Sequence, residues 1–311
     1  MSERPTDNRE IAAARNDGPR NDSSLKQATT LRGEGPMRLA WRRFRRSRMA
    51  LLGLWLVGIM LVAALIGPWL TPYSYDEPIK QSATGAPSWR HPLGLDQNGR
   101  DVMTRALYGA RVSLQVALAA TAVAVALGVF AGAMAGYFGR WTDELFMRAA
   151  DAFSAFPGIL LAVAITAAFR TRSLMVVFVA LGLVGWSSLA RIVRSQVLTL
   201  REEEFVQAAR ALGVGRMRIL FRHILPNCLA PVIVTSTPLM AGNILGEAGL
   251  SFLGIGVEPP YPSWGVMLAE ARSWFPLYWW MSAFPGVAIA LTVLGFNLLG
   301  DGLRDALDPK S

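Results

Sequence analysis

Charge is scarce in this chain. Only 17% of its 311 residues are Asp, Glu, Lys or Arg, whereas 52% are apolar. A soluble globular protein carries about 25% charged residues, so this sequence lacks the surface it would need in water. Its length alone would allow two soluble domains, but the uneven distribution of the charges excludes them. Cysteine is nearly missing: the single Cys228 rules out an intramolecular disulfide framework, and one thiol in an apolar run reads as a small packing residue. The only two histidines, His91 and His223, are far apart and form no zinc-binding pattern. No Gly-rich loop ending in Gly-Lys-Ser/Thr occurs, which excludes a P-loop nucleotide site in this sequence.

What is present is a set of charge-free runs. Residues 49–70, 112–137, 152–169, 173–190, 223–246 and 273–300 contain no Asp, Glu, Lys or Arg. Each is about 18 residues or longer, enough for a helix to cross a hydrocarbon core ~30 Å thick. The chain therefore reads as an all-α polytopic membrane protein with about six transmembrane helices. The first run starts near residue 49 and outruns the apolar region of about 7–15 residues found in a cleaved signal peptide.

The net charge of +9 is explained by location. Residues 1–48 hold 12 Lys/Arg against 6 Asp/Glu. A basic block just before a first apolar span fixes topology and meets anionic lipid, so nucleic acid is not the implied partner. If the N-terminus lies inside, the inside segments carry 23 Lys/Arg and the outside segments 8. This bias places both termini in the cytoplasm.

Three regions follow along the chain. Residues 1–37 are polar and interspersed with Gly, Pro, Ser and Asn, and read as a disordered cytoplasmic tail. Residues 38–111 hold the first span and an external segment, and 112–311 form the membrane core. At the start of the second region, Leu39, Trp41 and Phe44 alternate with Arg42, Arg43, Arg45 and Arg46. That pattern suits a short helix lying on an anionic bilayer face, or a topogenic anchor with no further role. The external stretch 71–111 is too long for a simple turn. Val102, Ala106, Leu107 and Val112 are spaced as on a helix, which predicts a partly helical cap at the outer mouth. Gly128, Gly132 and Gly136 recur every four residues, a stripe that lets helix backbones approach closely in lipid. Pro157, Pro226, Pro231, Pro238 and Pro285 lie in or beside spans and predict kinks. No clear inverted repeat relates the two halves, which weighs against a secondary transporter.

The most informative stretch is the loop 196–226. Glu202, Glu203 and Glu204 precede a helical run and complement its dipole. Phe205, Val206, Ala209 and Leu212 supply an apolar face, and Gly213 and Gly215 end the helix. A second amphipathic run, 217–225, stops at Pro226. Two short helices joined at a glycine turn either cover a groove on a partner or lie flat on the membrane. Ala208 and Ala209 are small enough to let such a helix sit deep in a groove.

Gln207-Ala208-Ala209, then Gly213, then Ile224-Leu225-Pro226 resembles the "EAA" loop of ATP-binding-cassette importer permeases. The family pattern is Glu-Ala-Ala, three residues, Gly, nine residues, Ile-x-Leu-Pro. Gln207 stands where the family has Glu, and His223 where it has the first Ile. Three further segments are similar to dipeptide, oligopeptide and nickel permeases, and specifically to their C-type subunit. They are 91–102 (HPLGLDQNGRDV), 250–260 (LSFLGIGVEPP) with Pro262-Ser263-Trp264-Gly265 after it, and 296–309 (FNLLGDGLRDALDP). The resemblance runs from about residue 38 to the end. It implies a type I importer permease fold in a bacterial inner membrane, and a coupling role for Gln207, Ala208, Ala209, Gly213, Ile224, Leu225 and Pro226. It also implies a second permease subunit, two ATPase subunits that carry the ATP and Mg, and an external binding protein. This chain would bind no cofactor of its own, and its cargo would be dipeptides or short oligopeptides, with glutathione, nickel chelates and opines as alternatives.

Other classes find less support. Gly185-Trp186-Ser187-Ser188 and Gly249-Leu250-Ser251 offer hydroxyls to an intramembrane hydrolase, but neither histidine lies in a span near them. A channel or secondary transporter needs ionisable residues inside spans. Only Glu247 and Asp151 qualify, and Glu247 is the one candidate for the substrate path, the rival reading being a paired or wetted helix end.

Overall fold

The computed structural model describes residues 36–79, 84–169, 171 and 173–307. Most of the expected tail, 1–37, lies outside the described residues, and Pro36 already opens the first helix. The described residues form helices and contain no strand, only two isolated bridges, Gly85–Leu95 and Leu95–Asp101.

α1 (Pro36–Arg46) is separated from α2 (Arg48–Leu70) by Ser47, which is extended (φ −79°, ψ 112°) and caps α2 by accepting from the Ala50 N–H. α2 is the most exposed span: Leu54, Trp55, Val62 and Leu65 all face outward. α3 (Val102–Phe138) starts at an Asp101 N-cap, whose carboxylate accepts from the Thr104 N–H at 2.8 Å. At 37 residues it is about 55 Å long, so it projects well beyond the hydrocarbon. The boundary set at 111/112 thus falls inside one helix. The expected outer cap is likewise the first turns of α3, while the described residues of 71–101 are coil.

The third apolar run is not a straight span. α4 (Arg140–Ser154) and α5 (Gly158–Ala168) meet at 95°. Pro157 has no N–H to continue the ladder and drives Phe156 away from helical geometry. α5 alone, at 11 residues, is about 16 Å long and cannot cross a bilayer. α6 (Leu174–Leu200), α7 (Glu204–Ala211), α8 (Arg216–Ile219), a π-turn (Leu220–Ile224) and α9 (Leu225–Phe252) follow. α10 (Trp264–Ala271) is short, and the last run straightens only at α11 (Trp280–Leu307); its first residues form a 3₁₀ turn (Arg272–Trp274) and coil. Among the described residues, five helices are long and apolar enough to span, or six if the bent α4–α5 pair counts as one.

α3 and α6 form the spine. A Cβ on Gly128, Gly132 or Gly136 would strike Leu189, the Ala190 carbonyl with Val193, or the Arg194 carbonyl with Val197. The glycine stripe is therefore the close-contact seam that its spacing predicts. A second seam joins α2 to α11, where a Cβ on Gly53 would meet the backbone of Gly295 and Leu299. The bundle has two ends. One carries α1, the last turns of α11 and the α6–α9 loop; the other carries the described residues of 71–101 and α10.

Candidate functional site

At the α1 end the α6–α9 loop is built on its own small core. Val206 is fully buried and Ala209 is 7% exposed, packed with Val197, Ile219, Leu220 and Ile224. α7 ends in a two-bond C-cap. The Gly213 N–H donates to the Arg210 carbonyl (2.9 Å) and the Val214 N–H to the Ala209 carbonyl (3.1 Å), with Gly213 at φ +76°. This is the Schellman arrangement, and glycine takes the left-handed position without steric cost. Arg201 fastens the loop to the spine by donating to the Gly136 carbonyl at 3.1 Å.

The two alanines therefore part company. Ala209 faces the chain's own core, whereas Ala208 faces out with Phe205 (42% exposed) and Leu212 (84%). These three lie at i, i+3 and i+7, one stripe of a helix. Gln207 is exposed and makes long hydrogen bonds from Nε2 to the Glu202 carboxylate (3.4 Å) and the Arg201 carbonyl (3.5 Å). A glutamate there would face Glu202 with like charge, so the amide suits this position. Ile224 is fully buried, Leu225 half-buried and Pro226 exposed. A π-turn, wider than the α ladder by one residue, stands just before Pro226. The Leu225 N–H bonds the Leu220 carbonyl instead, and Asn227 Nδ2 donates to the His223 carbonyl at 2.6 Å. Beside the loop, Tyr137, Phe138, Arg210, Val214, Arg216 and Ile219 line a cavity of about 450 Å³.

Two ion pairs tie the bent span to α6. Arg194 grips Asp143 through Nε (2.5 Å) and Nη2 (2.6 Å), and Arg191 donates to Asp151 (3.0 Å) and Ser154 (3.1 Å). Asp151 is thus paired to α6 while its side chain stays 60% exposed.

At the other end, Glu247 is fully buried on α9. It accepts from Ser113 of α3 (2.8 Å) and Ser251 of α9 (2.7 Å). The Ser113 oxygen in turn accepts from the Trp264 N–H of α10 at 3.3 Å. In this conformation the carboxyl joins three helices and is buried. Ser251, 3% exposed, gives its proton to that carboxyl. Above this hub lies an ion network that sequence reading missed. Asp96 takes Arg100 Nε (2.7 Å) and Arg105 Nη1 (3.1 Å), and both guanidiniums also reach Glu270 Oε2 (2.9 and 2.8 Å). Burial pushes the Glu270 carboxyl above its ordinary 4.5, outweighing the Arg100 charge. His91 Nδ1 lies 2.9 Å from Asp101 Oδ2. The i,i+4 spacing of Asp96 and Arg100 was a visible signal; the partner on α10, 165 residues beyond Arg105, was not.

A bundle of apolar helices with a bent third run and a structured loop between two of them defines a polytopic helical membrane protein. Residues 128–311 match the family described as the inner membrane component of binding-protein-dependent transport systems, and residues 35–88 match the N-terminal transmembrane domain of oligopeptide transport permease C. The chain belongs to this family: it is a multi-pass inner-membrane permease subunit of the ATP-binding-cassette importer class. It is 46% identical over 275 residues to the dipeptide transport system permease protein DppC of Alkalihalophilus pseudofirmus, covering 88% of this chain and 90% of the relative. It is 38% identical over 303 residues to the di/tripeptide transport system permease protein DppC of Pseudomonas aeruginosa, covering 96% and 98%. It is also 42% identical over 271 residues to the glutathione transport system permease protein GsiD of an Escherichia coli strain, covering 87% and 89%. Among solved structures, a chain of the MetNI methionine ABC transporter in an inward-facing conformation shares the fold, with a TM-score of 0.53 and 18% identity over 66% of this chain and 97% of that one.

Proposed function

We propose that this permease carries dipeptides or short oligopeptides inward, driven by separate ATPase subunits that dock on the α6–α9 loop. The observation that carries the coupling role is the outward stripe Phe205, Ala208 and Leu212 on a helix whose neighbouring face, Val206 and Ala209, is locked into the bundle. An apolar stripe held rigidly is what a groove needs in order to pass on a closing motion. Gln207, Ala208 and Gly213 belong to the docking side, while Ala209, Ile224 and Leu225 hold the platform. The α1 end is the cytoplasmic one, with both termini inside, supported by the charge bias of 23 against 8. A second permease subunit completes the path, and an external binding protein delivers cargo to the α10 end. ATP and Mg are bound by the two ATPases. The two relatives named for dipeptides and for di- and tripeptides support the cargo.

Glutathione is the second reading, favoured by the relative of that name. The test is reconstitution of the purified importer with its binding protein in vesicles. Peptide-stimulated ATP hydrolysis with uptake of labelled dipeptide is the expected result. Stimulation by glutathione alone would move the assignment to the second reading, and stimulation by neither would overturn both.

A further inference from the structure

The transport reading leaves α1 unused. Its inner side is fixed: Phe44, 4% exposed, packs with Ala50 and Ala306 beneath the end of α11. Its outer side is basic. Arg38, Arg42, Arg45 and Arg46 line a cavity of about 380 Å³ with Trp41, which is 57% exposed and stacked on Phe44 (ring centroids 5.9 Å apart). Arg38, Arg42 and Arg45 recur at i, i+4 and i+7, so they form one stripe. Positions 35–75 hold no Asp or Glu, so nothing on α1 itself offsets the charge of Arg38, Arg45 and Arg46. The extended Ser47 breaks the axis, and the exposed apolar surface of α2 starts at once with Met49 (62% exposed), Leu51 and Leu52. The arginine stripe therefore sits at the level where hydrocarbon gives way to headgroups. Aromatic rings with a polar tip favour the same level, and long arginine stems let the charges reach outward from it.

We propose that the outer side of α1 is a binding surface for anionic phospholipid headgroups of the cytoplasmic leaflet, with Arg38, Arg45 and Arg46 as the charges that select them and Trp41 as the interfacial anchor. A lipid fits better than an acidic protein partner because the stripe is continuous with the exposed apolar face of α2. Each arginine near an anionic surface favours it roughly fivefold, so replacing three weakens the preference by about two orders of magnitude if they act independently.

The test uses the whole importer in detergent micelles, challenged with phosphatidylglycerol or phosphatidylcholine and read by native mass spectrometry for retained lipid. The wild type is expected to retain phosphatidylglycerol preferentially, less so as salt rises. R38Q/R45Q/R46Q is expected to lose at least tenfold of that preference, and R38K/R45K/R46K to keep most of it. Should the triple glutamine variant fail to insert, R38Q and R45Q singly are each expected to lose a few-fold. Equal retention of both lipids by the wild type, or an unchanged preference in the glutamine variants, overturns the proposal. So does displacement of phosphatidylglycerol by millimolar inorganic phosphate, which would mark a free-anion site. Loss of the ATPase subunits with lipid preference intact would assign the surface to a protein partner and equally overturn it.

Discussion

Replacing Gly213 by alanine tests the coupling loop at its geometric hinge. The residue sits at φ +76°, and a Cβ built there would meet nothing within 4 Å. A clash with neighbours therefore contributes nothing, and the whole cost is backbone strain. A non-glycine residue in the left-handed region costs about 1–2 kcal/mol. The native turn also carries both C-cap hydrogen bonds, from Gly213 to Arg210 and from Val214 to Ala209, so relaxing φ surrenders at least one of them. If the ATPase subunits bind only the native turn, its lower population weakens their affinity by up to the same energy. At about 1.4 kcal/mol per tenfold, Gly213→Ala should reduce that affinity about 5- to 30-fold. Gly213→Asn should cost less, because asparagine tolerates this conformation. The assay is a titration of purified ATPase subunits onto the permease pair in lipid nanodiscs, with membrane insertion measured in parallel. Wild-type affinity in the alanine variant would refute the strain argument. An asparagine variant as weak as the alanine one would show that side-chain size at the partner contact, rather than φ, governs docking.

Other outcomes follow from the same geometry. Leu212→Asp should leave the permease as stable as the wild type yet release the ATPases, since Leu212 is 84% exposed; Ala209→Arg should instead destabilise the permease itself, by more than about 4 kcal/mol, through an unpaired buried charge. Thermal melting beside a pull-down separates the two. Gly132→Ala forces a methyl against the Ala190 carbonyl and Val193, and should cost about 1–3 kcal/mol, seen as a lower melting temperature. Glu247→Ala strips Ser113 and Ser251 of their acceptor and should cost at least about 3 kcal/mol, whereas Glu247→Gln, which keeps a carbonyl, should cost less than half of that. Because burial raises the Glu270 carboxyl above 4.5, its contribution to stability is full below the unfolded value and falls as pH rises through the folded one. Melting curves from pH 4 to 7 should show that decline in the wild type, and a flatter profile in Glu270→Gln.

The candidate site was legible wherever the reason for it is local. The Gly213 turn needs only glycine after an apolar helical run, and the structure has it at positive φ. The seam of Gly128, Gly132 and Gly136 needs only a fourfold repeat, and it meets α6 along its length. By contrast, the loop's alanines could not be assigned faces from their size. Both are small, but only the packing of Val206 against Ile219 and Leu220 turns Ala209 inward and leaves Ala208 outside.

The sequence by itself determined that this is a helical membrane protein, where most of its spans lie, and which loop stands out between them. Those follow from hydrophobicity, charge and glycine, each acting over a few turns of chain. Only the tertiary structure decided that the third apolar run bends by 95° and that α3 extends ten residues beyond its apolar stretch. It alone placed Asp96, Arg100 and Arg105 around Glu270, and Glu247 between serines of two helices. The bonds from Arg100 and Arg105 to Glu270 and from Ser113 to Glu247 join residues more than a hundred positions apart, and no local periodicity encodes them. They are set when helices pack and polar groups that become buried must find partners, because a buried polar group left unpaired is costly.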